Sequence, residues 1–181
     1  NVYLDVLHQQ IVQQKENPEH IYDLSKYEFV FFGDSVVGNY SGSLSIPGVI
    51  TAKSGAVTYN CAIGGQTATR RTGEDTLPGF DTSVSYFLSE NKEAFSTNEQ
   101  FKAEVERFHS THDSEKNLVF VVEYGLNDYF SAQKVKNVQN MYDIDTYKGG
   151  LNDGIRRLKE AYPAASFILV PPIYTDLFDN G

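Results

Sequence analysis

Four short stretches of this chain are apolar almost without interruption: residues 27–32, 56–61, 117–124 and 166–170. Runs of this kind predict strands buried on both faces of a parallel sheet. Between them the spacing of apolar positions becomes helical. Residues 2–15 place Val2, Val6, Ile11 and Val12 near one face and stop at Asn17-Pro18. Residues 82–95 and 98–108 also read as helices, and residues 145–162 set Leu151, Ile155 and Leu158 on one side before Pro163 ends the pattern. Residues 38–55, rich in Ser and Gly around Pro47-Gly48, predict a loop, as do residues 73–80. Strands that alternate with helices predict an α/β protein, a three-layer α/β/α sandwich around a central parallel sheet with right-handed crossovers. No repeat or linker divides the chain, so one domain over residues 1–181 is expected, with residues 1–26 as an N-terminal helical segment.

Composition narrows the function classes. The 181 residues are 40% apolar and 22% charged, the profile of a globular protein with a proper core. A net charge of −9 argues against nucleic acid and anionic membranes as partners, since both demand basic patches. No apolar run approaches the roughly 20 residues that span a bilayer. Cys61 is the sole cysteine, which excludes an intramolecular disulfide and a cysteine-based metal site, and its place within a strand predicts a small buried hydrophobe. The start at Asn1 suggests a processed or trimmed chain, and an extracellular origin fits the acidic, cysteine-poor composition.

The chemistry gathers at the ends of strands, where open α/β sheets bind ligands. The first strand runs into Gly33-Asp34-Ser35, the second into Asn60-Cys61-Ala62-Ile63-Gly64-Gly65-Gln66-Thr67, and the third into Gly125-Leu126-Asn127-Asp128. Together these turns offer a serine hydroxyl, glycine N–H groups that a ligand can approach closely, and a side-chain amide donor. Ser35 N–H, Gly65 N–H and the Asn127 amide could form an oxyanion hole. Each motif also has a plainer reading: a helix cap at Asp34 or Ser35, strand-end glycines at Gly64 and Gly65, an Asx turn at Asn127-Asp128.

With these blocks the chain resembles the SGNH (GDSL-like) serine hydrolases over about residues 27–178. Phe-Gly-Asp-Ser at Ser35 is similar to that family's first block, Gly65 to its second and Gly-Leu-Asn-Asp at Asn127 to its third. The apolar strand ending in Pro171-Pro172 is similar to the strand before its last block. The resemblance implies a flavodoxin-like architecture and an ester hydrolase without metal or organic cofactor. Ser35 would be the nucleophile, and Ser35, Gly65 and Asn127 would hold the oxyanion. Asp34, Tyr40, Gly64, Asp128 and Tyr129 would flank the substrate, the two aspartates fixing turn geometry rather than moving protons. The favoured substrate is a carbohydrate O-acetyl ester or another small-molecule ester, with lipase- or thioesterase-type acyl substrates next. A phosphate-binding flavodoxin-like protein is disfavoured because no adequate glycine-rich phosphate loop is present.

The family's base, a histidine in an Asp-x-x-His block near the C-terminus, has no counterpart before Gly181. His20, His109 and His112 precede strands and so belong to the opposite, amino edge, where they are expected at the surface. Asp5-Val6-Leu7-His8 has the right spacing on the N-terminal segment. A missing C-terminal segment is the simpler expectation, and it implies little esterase activity for this polypeptide alone. A non-catalytic binding module that keeps the cleft is the alternative from another class.

Overall fold

A computed structural model of the protein describes residues 23–71, 78–90 and 98–172. Strands β1 (Tyr27–Gly33), β2 (Val57–Asn60), β3 (Asn117–Glu123) and β4 (Ser166–Val170) form one sheet in the order β2-β1-β3-β4, every pair parallel. This is a flavodoxin-like α/β arrangement: β1 is central, and β3 crosses to its far side. Between and beside the strands lie α1 (Ser35–Gly38), α2 (Ile46–Ser54), α3 (Phe80–Phe87), α4 (Glu99–Thr111), α5 (Leu126–Phe130) and α6 (Tyr147–Ala161). The expected N-terminal helix, His8 and His20 fall outside the described residues.

Alternation along the strands divides the apolar side chains between two layers. Val30, Phe32, Tyr59, Leu118, Phe120 and Val122 face one way, into a core closed by Phe80, Phe87, Phe101, Phe108 and Leu158 from the helices. Phe29, Phe31, Val119 and Val121 face the other way, against Val37 of α1 and Ile50 of α2. Phe32 is the hub of the first layer, its ring 5.4 Å from both Phe80 and Phe87 in edge-on contact. Such pairs add about 0.5–1.5 kcal/mol each to the burial of their surface. Cys61 is fully buried here, as expected of a small hydrophobe.

Besides the short helices α1 and α5, which the apolar spacing does not predict, the helices differ from the sequence expectation at two places. Residues 38–55 are not a plain loop: a 3-10 turn at Gly42–Leu44 leads into α2. The Ser45 hydroxyl accepts from Gly48 N–H at 3.0 Å, Pro47 sits in the first turn, and Gly55 closes the helix in the left-handed region at φ 71°. These are ordinary start and stop signals; the Ser and Gly content masked them because α2 lacks a clear apolar stripe. The helix expected over 82–95 begins earlier and ends at Phe87, after which Ser89 takes a positive φ of 61°. Its expected portion within 91–97 lies outside the described residues. Helices α4 and α6 run close to expectation, capped by Asn98 and Thr146, whose side chains accept from Phe101 N–H and Gly149 N–H.

His109 and His112 stand at the amino edge, as the sequence implies, but His112 is not a free surface group. Its ring stacks on Phe108 at a centroid distance of 4.8 Å, and its Nδ1 lies 2.5 Å from Oε2 of the buried Glu28. His109 Nε2 meets the Phe87 carbonyl at 2.8 Å. A carboxylate inside β1 needs a polar partner, and the C-terminal end of α4 supplies it.

Helices α3 and α6 touch through Gly154, where an added Cβ would lie 2.6 Å from Phe80 Cδ1. Alanine there gains about 1 kcal/mol of helix propensity, but the fully buried Phe80 ring has no room to retreat, and overpacking costs about 1–3 kcal/mol. Gly154→Ala is therefore expected to lower the urea midpoint with an unchanged slope. A raised midpoint would show that the two helices are less tightly joined.

Candidate active site

Three strand-end turns meet at the carboxyl edge, and a buried aspartate joins them. β1 delivers Asp34 to the N-cap position of α1, where Oδ1 accepts from Val36 N–H at 2.9 Å. Ser35 is thereby the first residue of that short helix. The other carboxylate oxygen, Oδ2, accepts from the Asn127 side-chain amide at 3.2 Å. The same amide also donates to the Gln66 carbonyl at 3.1 Å. One side chain of α5 thus bonds to the turn after β1 and to the turn after β2.

The second turn folds tightly. Gln66 N–H returns to the Ile63 carbonyl at 3.1 Å, and Gly65 between them has φ 79°, the conformation that favours glycine at the third position of a type II turn. Ile63 N–H is tied to the Gly33 carbonyl at 2.9 Å, which docks the turn on the end of β1. A Cβ built on Gly64 would lie 3.9 Å from Ser35 Cβ and 2.8 Å from Asn39 Oδ1. The Ser35, Gly64-Gly65 and Asn127 blocks are therefore one cluster. Among the described residues, neither Ser35 N–H nor Gly65 N–H donates a hydrogen bond. Asn127 differs: both of its amide hydrogens are engaged, so donation to a ligand requires one of those bonds to open.

Other expected site residues divide by burial. Tyr40 and Tyr129 are 62% and 58% exposed, Tyr40 in the turn after α1 and Tyr129 on α5. Asp34 and Asp128 are buried, and protein donors occupy their carboxylates. Asp128 accepts from Ala68 N–H at 2.9 Å, Thr69 N–H at 3.0 Å and the Thr69 hydroxyl at 2.6 Å. Fixing turn geometry, the other expectation for these two, matches this placement. Gly125, Asp128, Tyr129, Gln133, Tyr147 and Pro172 line a largely apolar cavity of about 420 Å³. Gly125, Asp128 and Tyr129 share one side of the α5 turn and Asn127 the opposite side, so this cavity does not open onto the Asn127 amide.

Two residues without an assigned part in the sequence reading hold the cluster in place. Gln66 is fully buried; its Nε2 donates to the Pro78 carbonyl and the Ser83 hydroxyl, and its Oε1 accepts from the Tyr124 hydroxyl at 2.7 Å. Glu123 ends β3 directly beside Gly33 and is only 3% exposed. A Cβ on Gly33 would come within 2.8 Å of the Glu123 carbonyl and 3.1 Å of its Oε2, so only glycine allows this approach. Glu123 Oε2 receives the Asp34 N–H at 3.4 Å, and Oε1 is buried without a partner among the described residues. Burial first, and the neighbouring Asp34 charge second, push the Glu123 carboxyl up to about 7. Burial raises Asp34 as well, against the hydrogen bonds that favour its charged form. The signal for Glu123 was a lone carboxylate at the end of an otherwise apolar strand, next to a motif.

No protein-family model and no curated protein matches the chain. Among solved structures, one crystal structure matches with a TM-score of 0.57 and 20% identity over 84% of this chain and 60% of that one. A second, a protein from Lactobacillus plantarum solved as a structural-genomics target, matches with a TM-score of 0.55 and 17% identity over 90% of this chain and 62% of that one. The chain spans about three fifths of the length of each. At this identity the likeness extends to the fold. No helix among the described residues is long and apolar enough to cross a membrane.

Two stability measurements check this geometry. Asp128→Asn keeps one acceptor oxygen for Thr69 and turns the other into a donor that faces the Ala68 N–H, and buried unmatched donors cost about 1–3 kcal/mol each. The variant is expected to lose about 2 kcal/mol or more in urea unfolding; a loss below about 0.5 kcal/mol would contradict the Asp128 bonds. For Glu123, a native value near 7 against 4.5 for the free side chain means that the folded state binds the proton more tightly. Its contribution is complete below the unfolded value and is lost as pH rises through the folded one. Stability is expected to decline between those two pH values, and Glu123→Gln is expected to remove that part of the decline. An identical slope in both proteins would refute the shift.

Proposed function

We propose that the protein is a serine ester hydrolase of SGNH (GDSL-like) type, with Ser35 as nucleophile. The observation that carries this reading is the shared hydrogen-bond system of the three turns: the Asp34 carboxylate that caps the Ser35 helix also binds the Asn127 amide, and Gly64-Gly65 lies against Ser35. In this reading the Ser35 oxygen attacks an ester carbonyl while a general base takes its proton and then returns it to the departing alcohol. The oxyanion rests on Ser35 N–H, Gly65 N–H and an Asn127 amide hydrogen, the alcohol leaves, and water then cleaves the acyl-enzyme. A small-molecule or carbohydrate ester, an acetylated sugar first, suits the exposed Tyr40 near Ser35; longer acyl substrates are the alternative.

The proton acceptor is assigned to none of the described histidines. His112 is bonded to Glu28, seven positions before Ser35 along β1, a separation of roughly 20 Å. A second reading, a ligand-binding module without hydrolysis, draws on that fact and on the engagement of both Asn127 hydrogens. A fluorophosphonate probe separates the two. Covalent labelling that is lost in Ser35→Ala and kept in Ser41→Ala supports the nucleophile. Labelling that persists in Ser35→Ala assigns the reaction elsewhere, and a protein that binds acetylated sugars without reacting favours the binding module.

A further inference from the structure

Beneath the candidate nucleophile lies a pair of buried carboxyl groups, Asp34 and Glu123, whose shared charge the hydrolase reading does not use. Glu123 ends β3 and Asp34 follows β1, side by side in the central pair of strands. Both are buried, and no Lys, Arg or His among the described residues forms an ion pair with either. The titratable groups around them are acidic too: Asp128 on α5, the Tyr124 phenol just after β3, Tyr147 on α6 and the Cys61 thiol after β2. Charged together, the two carboxylates would repel in a setting with little water and no cation to compensate. Their donors are also unequally divided. Asp34 takes Val36 N–H and the Asn127 amide, while Glu123 has one long bond from Asp34 N–H and an oxygen with no partner. A group so poorly supplied with donors, next to one well supplied, is the one to carry a proton.

We infer that Glu123 and Asp34 hold one proton between them and that this proton controls whether the Asn127 amide is available to the oxyanion. The inference rests on the hydrolase reading of Ser35. With the proton in place, Glu123 is neutral and can donate to the Asp34 carboxylate. Asp34 then needs the Asn127 hydrogen less, and the 3.2 Å bond can open toward the reacting centre. When the proton leaves to solvent, both carboxylates demand donors and Asp34 holds the amide. Glu123 is a positioning residue: it touches neither substrate nor the reacting atoms and acts through Asp34 and Asn127.

The test compares the full chain with its Glu123→Gln variant, which is neutral at every pH and keeps an N–H to donate to Asp34. The rate of Ser35 labelling by a fluorophosphonate is measured between about pH 6 and about pH 8, and the ratio of variant to wild type is taken at each pH, which cancels the ionisation of the base. With a carboxyl that titrates near 7, the ratio is expected to rise about ten-fold across this range. A merely structural role for Glu123 shifts the ratio equally at all pH values, and a flat ratio overturns the proposal.

A second measurement does not need the variant to fold or Ser35 to react. The Asn127 side-chain amide resonances of the wild type, identified by their loss in Asn127→Asp, are expected to move with pH around neutrality. Their staying fixed from about pH 6 to about pH 8 also overturns the proposal. If labelling proves independent of Ser35, the nucleophile reading fails, and the amide titration alone then decides whether the shared proton exists.

Discussion

The carboxylate of Asp34 is the constraint on which the candidate site depends. It is fully buried at the end of the central strand, and its two oxygens tie together parts of the chain that are more than ninety residues apart. One oxygen starts the helix that begins with Ser35; the other holds the Asn127 amide, which reaches on to the turn of Gly64-Gly65. An ionised group is suited to this because charge-assisted hydrogen bonds are shorter and stronger than neutral ones. A neutral side chain of the same shape would pair with fewer of these donors. Asp128 acts in the same way toward the segment after that turn, through Ala68 and Thr69.

The cost of this arrangement is acidity concentrated inside the fold. Asp34, Glu123 and Asp128 lie together at the carboxyl edge, while at the amino edge the buried carboxylate of Glu28 has His112 beside it. The two edges therefore handle buried charge differently. At the amino edge an imidazole from α4 answers Glu28. At the carboxyl edge backbone amides, the Thr69 hydroxyl and the Asn127 side chain answer Asp34 and Asp128, and Glu123 is left with one long bond. Strain of this kind at a strand end is tolerated because the aromatic layer around Phe32, Phe87 and Phe120 fixes the strands beneath it. Local departures from the rules of burial are commonest where a protein does its work.

The β4 side of the sheet also bears on the site. Among the described residues β4 pairs only with β3, and Ile168, Leu169 and Val170 are half exposed, unlike the buried residues of β1 and β3. The Ser35 turn follows the central strand, away from this edge, and its hydrogen bonds do not involve β4. What lies nearer to β4 is the apolar cavity between α5, Tyr147 and Pro172, on the far side of α5 from Asn127.

The sequence by itself determined the strands and their order of appearance, because uninterrupted apolar runs have few alternatives once helices of amphipathic spacing separate them. It also marked the turns that meet in the candidate site, since Gly33-Asp34-Ser35, Gly64-Gly65 and Asn127-Asp128 each follow a strand. It did not reveal α2, whose signals are caps rather than a stripe, nor the early end of α3 at Phe87, where Ser89 turns the chain. Only the tertiary structure decided that the aspartates of these motifs point inward, that Asn127 has both amide hydrogens engaged, and that Glu123 stands beneath Asp34. The physical reason is register. Which residue of β3 faces Gly33 depends on the alignment of two strands separated by some eighty residues of chain, and a buried carboxyl pair exists only once that alignment has formed.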